Sequence, residues 1–136
     1  MTKVVSCIII NENSKILILK RSDKVRTYKK CWGGVAGYIE EGEKPIDTAY
    51  KEIKEEISLD ENDVELLKKG DVFEYTDVYE KIRYDWIIYP FLFKCRKKGK
   101  INIDWEHSVY VWIDPSMIEK YDTVPHFSTI VSRLLK

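Results

Sequence analysis

The sequence predicts an α/β fold in which a mixed β-sheet lies between helices. Apolar runs of strand length recur along the chain, interleaved with two or three segments of helical periodicity. The segments that follow Pro45 and His126 each carry one apolar stripe, which must face a sheet or another helix. The chain has 136 residues, of which 44% are hydrophobic and 34% charged. We therefore expect residues 1–136 to form a single domain with its own core.

The charge balance and the cysteines argue against several classes of protein. Lys and Arg together number 23, as do Asp and Glu, so the bulk charge indicates neither a nucleic-acid nor a membrane partner. Cys7, Cys31 and Cys95 form no C-x-x-C pair, which argues against a zinc site or a disulfide framework. No signal-peptide pattern and no transmembrane run of apolar residues is present, so we expect a cytoplasmic protein.

The first third of the chain predicts a hairpin and a basic loop. Val4–Ile10 is a nearly continuous apolar run, Asn11–Ser14 supplies a turn, and Lys15–Lys20 completes the hairpin. The polar loop Arg21–Lys30 follows and is locally basic. It is either a solvated connection or, if the fold brings it near acidic side chains, a rim that contacts phosphate.

The central stretch predicts strand, loop and helix. Val35–Ile39 has strand character and contains Gly37, where either a positive φ or a close approach to the backbone excludes a side chain. Glu40–Lys44 is a loop, and Pro45 suits the first turn of a helix. The apolar stripe of this helix consists of Ile46, Ala49, Tyr50, Ile53 and Ile57.

The rest of the chain predicts further strands and two short helices. Val64–Val78 is extended with an interruption at Gly70. Lys81–Lys94 should be the longest strand, with Pro90 indicating an edge position or a bulge. The remaining predicted elements are a basic turn over Arg96–Lys100, short strands over Ile101–Ile103 and Val109–Ile113, a short helix from Pro115, and an amphipathic helix over His126–Leu135.

Three glutamates on the central helix carry the main functional signal. At about 100° per residue, Glu52, Glu55 and Glu56 share one face, centred about 120° from the apolar stripe. Like charges at this spacing repel, and a hard divalent cation would reverse the sign of that interaction. The plainer interpretation is a solvated acidic face. Oxygen-only ligands favour Mg²⁺, Mn²⁺ or Ca²⁺ over zinc.

Gly37 to Leu59 resembles the Nudix box, G-x5-E-x7-R-E-U-x-E-E-x-G-U, where U is aliphatic. Seven of its nine specified positions match without a gap: Gly37, Glu43, Glu52, Ile53, Glu55, Glu56 and Leu59. The two departures are Lys51 for the arginine and Ser58 for the second glycine. The stretches WGGVAGYIEEGE and WEHSVYVWIDPSMIEKYDTVP are similar to Nudix domains fused to, or grouped with, archaeal relatives of the translation initiation factor 2B alpha subunit.

The resemblance implies a Nudix-type α/β/α sandwich and metal-dependent hydrolysis of the diphosphate linkage in a nucleoside diphosphate derivative. Nucleoside triphosphates, dinucleoside polyphosphates, ADP-ribose and sugar nucleotides are all compatible small-molecule substrates. It also implies Mg²⁺, or Mn²⁺ in its place, held by the Gly37 carbonyl, Glu52, Glu55 and Glu56. The same three glutamates are the expected catalytic residues, with Glu52 the first choice for the general base. A monomer or a homodimer fits this size.

Other residues and one alternative function remain open. Glu106 is either a further metal ligand or a solvated loop acid, while His107 and His126 are more typical of surface or structural positions. Tyr75, Tyr84, Trp86 and Tyr89 would suit base stacking, although aromatic residues in strands more often belong to a core. The alternative function is a catalytically weak module that senses nucleotides or binds a partner, which the departures at Lys51 and Ser58 would favour.

Overall fold

A computed structural model describes residues 1–96 and 101–136 of the chain. It contains eight strands and two α-helices in these two ranges, together with short 3₁₀ turns at Glu61–Asp63 and Pro115–Lys120. In chain order the elements are β1 (Thr2–Ile10), β2 (Ile16–Arg21), β3 (Trp32–Gly33), β4 (Val35–Tyr38), α1 (Pro45–Ile57), β5 (Val64–Lys69), β6 (Phe73–Tyr79), β7 (Ile82–Cys95), β8 (His107–Ile113) and α2 (Phe127–Leu134).

The strands form one mixed sheet, as predicted. Its main path runs β3-β2-β1-β7-β5, with β4 paired to β1, β6 to β7 and β8 to β2. Strands β1 and β7 are parallel along their full contact, and the other pairs are antiparallel. In the predicted hairpin, β1 and β2 pair only at Ile10 and Ile16. Away from the turn, β1 pairs with β4 and β2 pairs with β3.

The two helices lie on opposite faces of this sheet. On β1, Val5, Cys7 and Ile9 belong to the core cluster that contains the apolar stripe of α1. Ile8, between them, belongs to the cluster that contains Phe127, Ile130, Val131 and Leu134 of α2. Because successive strand residues point to opposite faces, this alternation places one core on each side of the sheet. The α/β/α sandwich is therefore confirmed.

Two predictions about the second half of the chain are wrong. Ile101–Ile103 is not a strand, because the Asn102 amide donates to the Ile57 carbonyl at 3.3 Å and so ties this segment to the end of α1. Pro90 is not on an edge strand, since β7 pairs on both sides, and the register shift of this region lies in β5 between Leu66 and Lys68, not at Pro90. It lies where the partner of β7 changes from β5 to β6, and its carbonyl accepts a hydrogen bond from Gly70 in the connection between them.

The other predicted elements agree with the structure to within a few residues. The longest described strand is β7, the extended segment before it breaks into β5 and β6 around Gly70, and Pro115 begins a short 3₁₀ helix. The predicted basic turn over Arg96–Lys100 lies, apart from Arg96, outside the described residues. Within the described ranges, no helix is long and apolar enough to cross a bilayer.

Candidate functional site

Two of the three glutamates of α1 face the protein interior. Glu52 is 8% exposed and Glu56 is 1% exposed, whereas Glu55 lies on the outer surface of the helix. The apolar stripe of α1 packs against β1 and β4. This contact also turns the neighbouring side chains of Glu52 and Glu56 toward the interior. The sequence placed the three acids on one face, and the packing of the helix divides them into a buried pair and one exposed partner.

Gly37 makes room for the carboxyl group of Glu52. It lies in β4 opposite Val5 of β1, and its φ is not in the left-handed region. A Cβ atom at this position would lie only 2.2 Å from Cδ of Glu52. Of the two reasons for a glycine here, close approach is therefore the one that applies. The strand backbone and the helix carboxylate share the space that a side chain would fill.

The second buried glutamate meets the start of β8. Nε2 of His107 lies 2.7 Å from Oε1 of Glu56, and both side chains are 1% exposed. The Asp104 amide donates to the Glu56 carbonyl at 3.2 Å, and the Ser22 amide donates to the Glu106 carbonyl at 2.8 Å. These bonds bring the segment before β8 to the end of α1. As a result, potential ligand atoms of Glu56, Glu106 and His107 all lie within 4.8 Å of one another.

Burial and mutual repulsion act on the acids of this site. Burial raises the pKa of Glu56 well above its ordinary value of 4.5, and the nearby negative charge of Glu106 raises it further. Burial, followed by the charges of Asp104 and Glu52, raises the pKa of Glu106 to about 7. The pKa of Glu52 is raised mainly by burial. Each shift means that the site disfavours negative charge in the absence of a cation.

Cationic character in the site comes from Arg21 rather than from histidine. Burial, and then the charge of Arg21, lowers the pKa of His107 to about 4, so its imidazole is neutral at pH 7. Arg21 ends β2 opposite His107, and its Nε donates to the Thr27 carbonyl at 2.9 Å. The positive charge of Arg21 also opposes the rise in the pKa of Glu106. One end of the predicted basic loop therefore lies at the acidic cluster.

Tyr28 and Lys29 of the basic loop contact a different part of the sheet. The hydroxyl of Tyr28 donates to Oδ2 of Asp77 on β6 at 2.5 Å, and the Lys29 amide donates to the Tyr79 hydroxyl at 3.3 Å. These contacts tie this part of the loop to the hairpin of β6 and β7. The loop thus extends from the acidic cluster to the opposite, α2-facing side of the sheet, where Tyr28 packs. Its last residue then returns to the end of β2, where the Lys30 amide donates to the Arg21 carbonyl at 2.9 Å.

Among the aromatic residues considered for base stacking, Tyr84 and Trp86 form a stacked pair. Their rings are nearly parallel, at 6°, with centroids 5.1 Å apart, and Tyr38 lies 6.3 Å from Trp86. Trp86 and Tyr84 belong to the core cluster on the α2 side. Tyr75 instead packs against the ring of His126, with centroids 4.2 Å apart, which gives His126 a structural contact.

Glu43 and Lys51 join the loop before α1 to the helix. Nζ of Lys51 lies 2.8 Å from Oε2 of Glu43, while Oε1 of Glu43 accepts hydrogen bonds from the Glu40 amide and the Thr48 hydroxyl. The bond from Lys51, followed by that from the Glu40 amide, lowers the pKa of Glu43 below its usual value. Lys51 thus neutralises this carboxylate through a single point charge, without the two-pronged contact of an arginine.

Ser58 ends α1 in the left-handed conformation, with φ 60° and ψ 33°. Glycine adopts this geometry without strain, so the helix keeps the shape of a glycine-terminated helix despite the substitution. The Ser58 amide donates to the Lys54 carbonyl at 3.1 Å, and its hydroxyl donates to the Asn102 carbonyl at 3.0 Å. The hydroxyl therefore adds a tie to the segment that carries Glu106.

The structure brings together most of the residues that the sequence singled out. Glu52 lies against Gly37, Glu56 lies beside Glu106, and exposed Glu55 is near enough for its charge to raise the pKa of Glu52 and Glu106. Sequence reasoning gave too little weight to His107, which is buried at the centre of the cluster. The only sequence signal for it is its position next to Glu106, two residues before the predicted strand Val109–Ile113.

Comparison with known proteins assigns the family. A sequence model of the NUDIX domain matches residues 1–134. Isopentenyl-diphosphate Delta-isomerase of Haloarcula marismortui is 28% identical over 82 residues, which cover 60% of this chain and 44% of that protein. This chain therefore spans less than half the length of that relative. RNA pyrophosphohydrolase of Pelagibacter ubique is 26% identical over 125 residues, covering 81% and 74% of the two chains.

A solved structure supports the same conclusion for the fold. The dihydroneopterin triphosphate pyrophosphohydrolase of E. coli superimposes with a TM-score of 0.80 at 20% identity, covering 98% of this chain and 94% of that one. At this identity the likeness concerns the fold alone. The family match spans nearly the whole sequence, and the chain therefore belongs to the Nudix domain family.

Proposed function

We propose that this protein is a divalent-metal-dependent pyrophosphohydrolase that cleaves the diphosphate linkage of a nucleoside diphosphate derivative. The observation that carries the proposal is the burial of Glu52 and Glu56 beside Glu106 in one small space. Crowding carboxylates away from water costs free energy unless a cation compensates them. Such a cluster of carboxylates destabilises a protein core, whereas a site that binds a metal ion and a polyphosphate needs carboxylates as metal ligands.

The residues present fit a bound Mg²⁺ or Mn²⁺. Oε2 of Glu56 is buried and has no hydrogen-bond partner among the described residues, so it retains a free acceptor. The predicted ligands are oxygen atoms, which these cations prefer. We propose that Glu52, Glu55, Glu56, Glu106 and the Gly37 carbonyl hold the metal. When bound, the metal neutralises phosphate charge and acidifies water.

Glu52 and Glu106 are the two candidates for the group that accepts the proton of the attacking water. A general base works best when its pKa lies near the working pH. The raised pKa values of both acids meet this condition better than those of exposed glutamates. Arg21, beside Glu106, is placed to offset charge that develops in the same region, whether on substrate or on carboxylate.

The substrate class rests on the family and on the diphosphate group. The similar proteins are an RNA pyrophosphohydrolase, a dihydroneopterin triphosphate pyrophosphohydrolase and an isopentenyl-diphosphate Delta-isomerase, whose names all refer to a pyrophosphate, triphosphate or diphosphate group. For this chain we propose a small nucleotide: a nucleoside triphosphate, a dinucleoside polyphosphate, ADP-ribose or a sugar nucleotide. A cytoplasmic location, a single domain over residues 1–136 and a monomer or homodimer remain predictions.

The direct test is turnover of a substrate panel. Purified protein is incubated with Mg²⁺ or Mn²⁺ and each nucleotide class, and products are identified by mass spectrometry in ¹⁸O-labelled water. We expect Glu52→Gln and Glu56→Gln to lower turnover by at least about a hundredfold, because each removes a charged metal ligand. Glu41→Gln, on the exposed loop before α1, is the matched control and should retain activity.

The alternative of a nucleotide-sensing module has a distinct outcome in the same experiment. Its support came from Lys51 and Ser58, yet Lys51 still neutralises Glu43 and Ser58 still forms the left-handed helix end. Nucleotide binding by calorimetry, with no turnover above that of the two variants on any compound, would reject the enzyme and favour the sensing module.

A further inference from the structure

The contact between His107 and Glu56 is too buried to be an incidental surface pair. Both side chains are 1% exposed, and Nε2 lies 2.7 Å from Oε1. Burying a carboxylate beside an imidazole costs desolvation free energy, and apolar residues of similar volume often give equal or better stability. A contact of this kind is therefore better explained by what it does to Glu56 than by a contribution to folding.

We propose that His107 is a positioning residue, which fixes Oε1 of Glu56 through its Nε2–H and so presents Oε2 to the metal site. This inference rests on the proposed function. Oε1 is engaged by the histidine, whereas Oε2 has no hydrogen-bond partner among the described residues when the acids are ionised. The Glu52 carboxyl group lies close enough to Glu56 to share a hydrogen bond when one of the two is protonated, and a bound cation would replace that proton. The two oxygens of one carboxylate are thus divided between a protein contact and a free acceptor, which is the arrangement that a one-oxygen metal ligand requires.

The hydrogen-bonding state of the imidazole agrees with this assignment. Nδ1 of His107 is also buried and without a partner in the described part of the chain. If Nδ1 carried the proton, a buried N–H would lack an acceptor. Once a bound cation had displaced any proton from Glu56, a bare Nε2 would also face the carboxylate as a second acceptor. With the proton on Nε2, the short contact becomes a charge-assisted hydrogen bond and only a lone pair is left unused.

The backbone of His107 is fixed independently of its side chain. It pairs with Arg21 on β2, and its amide donates to the Asp104 carbonyl at 3.3 Å. The Asp104 amide in turn donates to the Glu56 carbonyl. The imidazole is therefore held from two sides, by the sheet and by the end of α1, and can restrict the rotation of the Glu56 carboxyl group.

Direct ligation by His107 is the competing arrangement, because potential ligand atoms of His107, Glu56 and Glu106 lie within 4.8 Å of one another. For Nε2 to bind a cation, it would have to give up its contact with Glu56. The two arrangements differ in whether nitrogen coordinates the metal, and Mn²⁺ makes that difference measurable.

The test compares His107→Leu with His107→Gln, whose amide can still donate to Glu56. Mn²⁺ binding to the full chain is measured by electron paramagnetic resonance without substrate, and turnover of the best nucleotide is measured separately. We expect His107→Leu to weaken Mn²⁺ binding about tenfold to a hundredfold and to lower kcat more than it changes KM. The Gln variant should recover most of both. If His107→Leu does not fold, His107→Asn, with its shorter reach, takes its place.

Three results would overturn the inference. Mn²⁺ binding and kcat of the Leu or Asn variant equal to those of the native chain would remove the positioning role. A ¹⁴N coupling to bound Mn²⁺ that disappears in His107→Gln would make His107 a ligand instead. If the native chain bound no Mn²⁺ and turned over nothing, the proposed function would fail as well, so the two failures are distinguishable.

Discussion

The carboxyl group of Glu52 on α1 occupies the space that a side chain at residue 37 of β4 would need. A Cβ atom on Gly37 would lie 2.2 Å from Cδ and 2.5 Å from both Cγ and Oε1 of Glu52. These distances are far below van der Waals contact, so the helix and the strand can approach as they do only with glycine at position 37. Gly37 and Glu52, the first glycine and the first helix glutamate of the stretch that matches the box, thus form a single packing unit.

We predict that Gly37→Ala lowers both stability and activity. The new methyl group must displace Glu52, and overpacking of this kind costs about 2 kcal/mol of unfolding free energy. Moving Glu52 also disturbs the proposed metal ligands, so turnover should fall more steeply than stability. Chemical denaturation and the nucleotide assay measure the two effects separately.

The matched control for this prediction is a double-mutant cycle with Glu52→Ala. That substitution removes the clashing Cγ, Cδ and Oε1 atoms, so adding Gly37→Ala to it should cost little further stability. An equal cost of Gly37→Ala in both backgrounds would show that the strand backbone, and not Glu52, requires the glycine.

Local patterns were sufficient to predict the helix and the glycine, but not the orientation of the acids. The apolar stripe of α1 and Pro45 are local signals, and the structure begins the helix at Pro45. How deeply Glu52 and Glu56 are buried depends on the approach of β4 and β8, which are distant in sequence. Burial of an acid is a tertiary property, and helical spacing alone gives only its direction relative to the stripe.

The wrong predictions for Ile101–Ile103 and Pro90 also arise from tertiary contacts that local sequence patterns do not show. Ile101–Ile103 has a strand-like composition, but its Asn102 amide is bonded to the Ile57 carbonyl at the end of α1, which no local pattern reveals. Pro90 predicts an edge position or a bulge because proline cannot donate to the hydrogen-bond ladder of a strand. The sheet places it opposite the connection between β5 and β6, where a missing donor is tolerated. His107 was undervalued because a single histidine carries no periodicity.

We predict that Glu106→Gln stabilises the metal-free protein at pH 8. In the folded chain the pKa of Glu106 is raised from 4.5 to about 7, so the folded state holds a proton that the unfolded state has released between these pH values. The contribution of Glu106 to native stability is therefore fully present below about pH 4.5 and is lost as the pH rises through about 7. The neutral glutamine avoids that loss. The free energy of unfolding of Glu106→Gln at pH 8 should therefore exceed that of the native chain by about 1 to 2 kcal/mol, a figure that allows for solvent screening of this half-buried group.

Urea denaturation in EDTA at pH 4.5 and pH 8 measures this difference. The two proteins should be nearly equal at the lower pH, because Glu106 is then protonated in the folded state. Adding Mg²⁺ at pH 8 should reverse the order, since the native carboxylate gains a cation and the glutamine does not. A glutamine variant that is less stable than the native chain at pH 8 in EDTA would contradict the prediction.

We predict that Ser58→Gly and Ser58→Ala change stability in opposite directions, with Ser58→Gly the more stable of the two by about 1 to 2 kcal/mol. Position 58 has φ 60°, where glycine is unstrained and alanine is not. Both variants lose the hydroxyl bond to the Asn102 carbonyl, so comparing them with each other cancels that loss and isolates the backbone strain. Thermal unfolding of the three proteins gives the order Gly, Ser, Ala. Equal midpoints for the two variants would mean that the helix end relaxes out of the left-handed region when residue 58 carries a side chain, and would contradict the prediction.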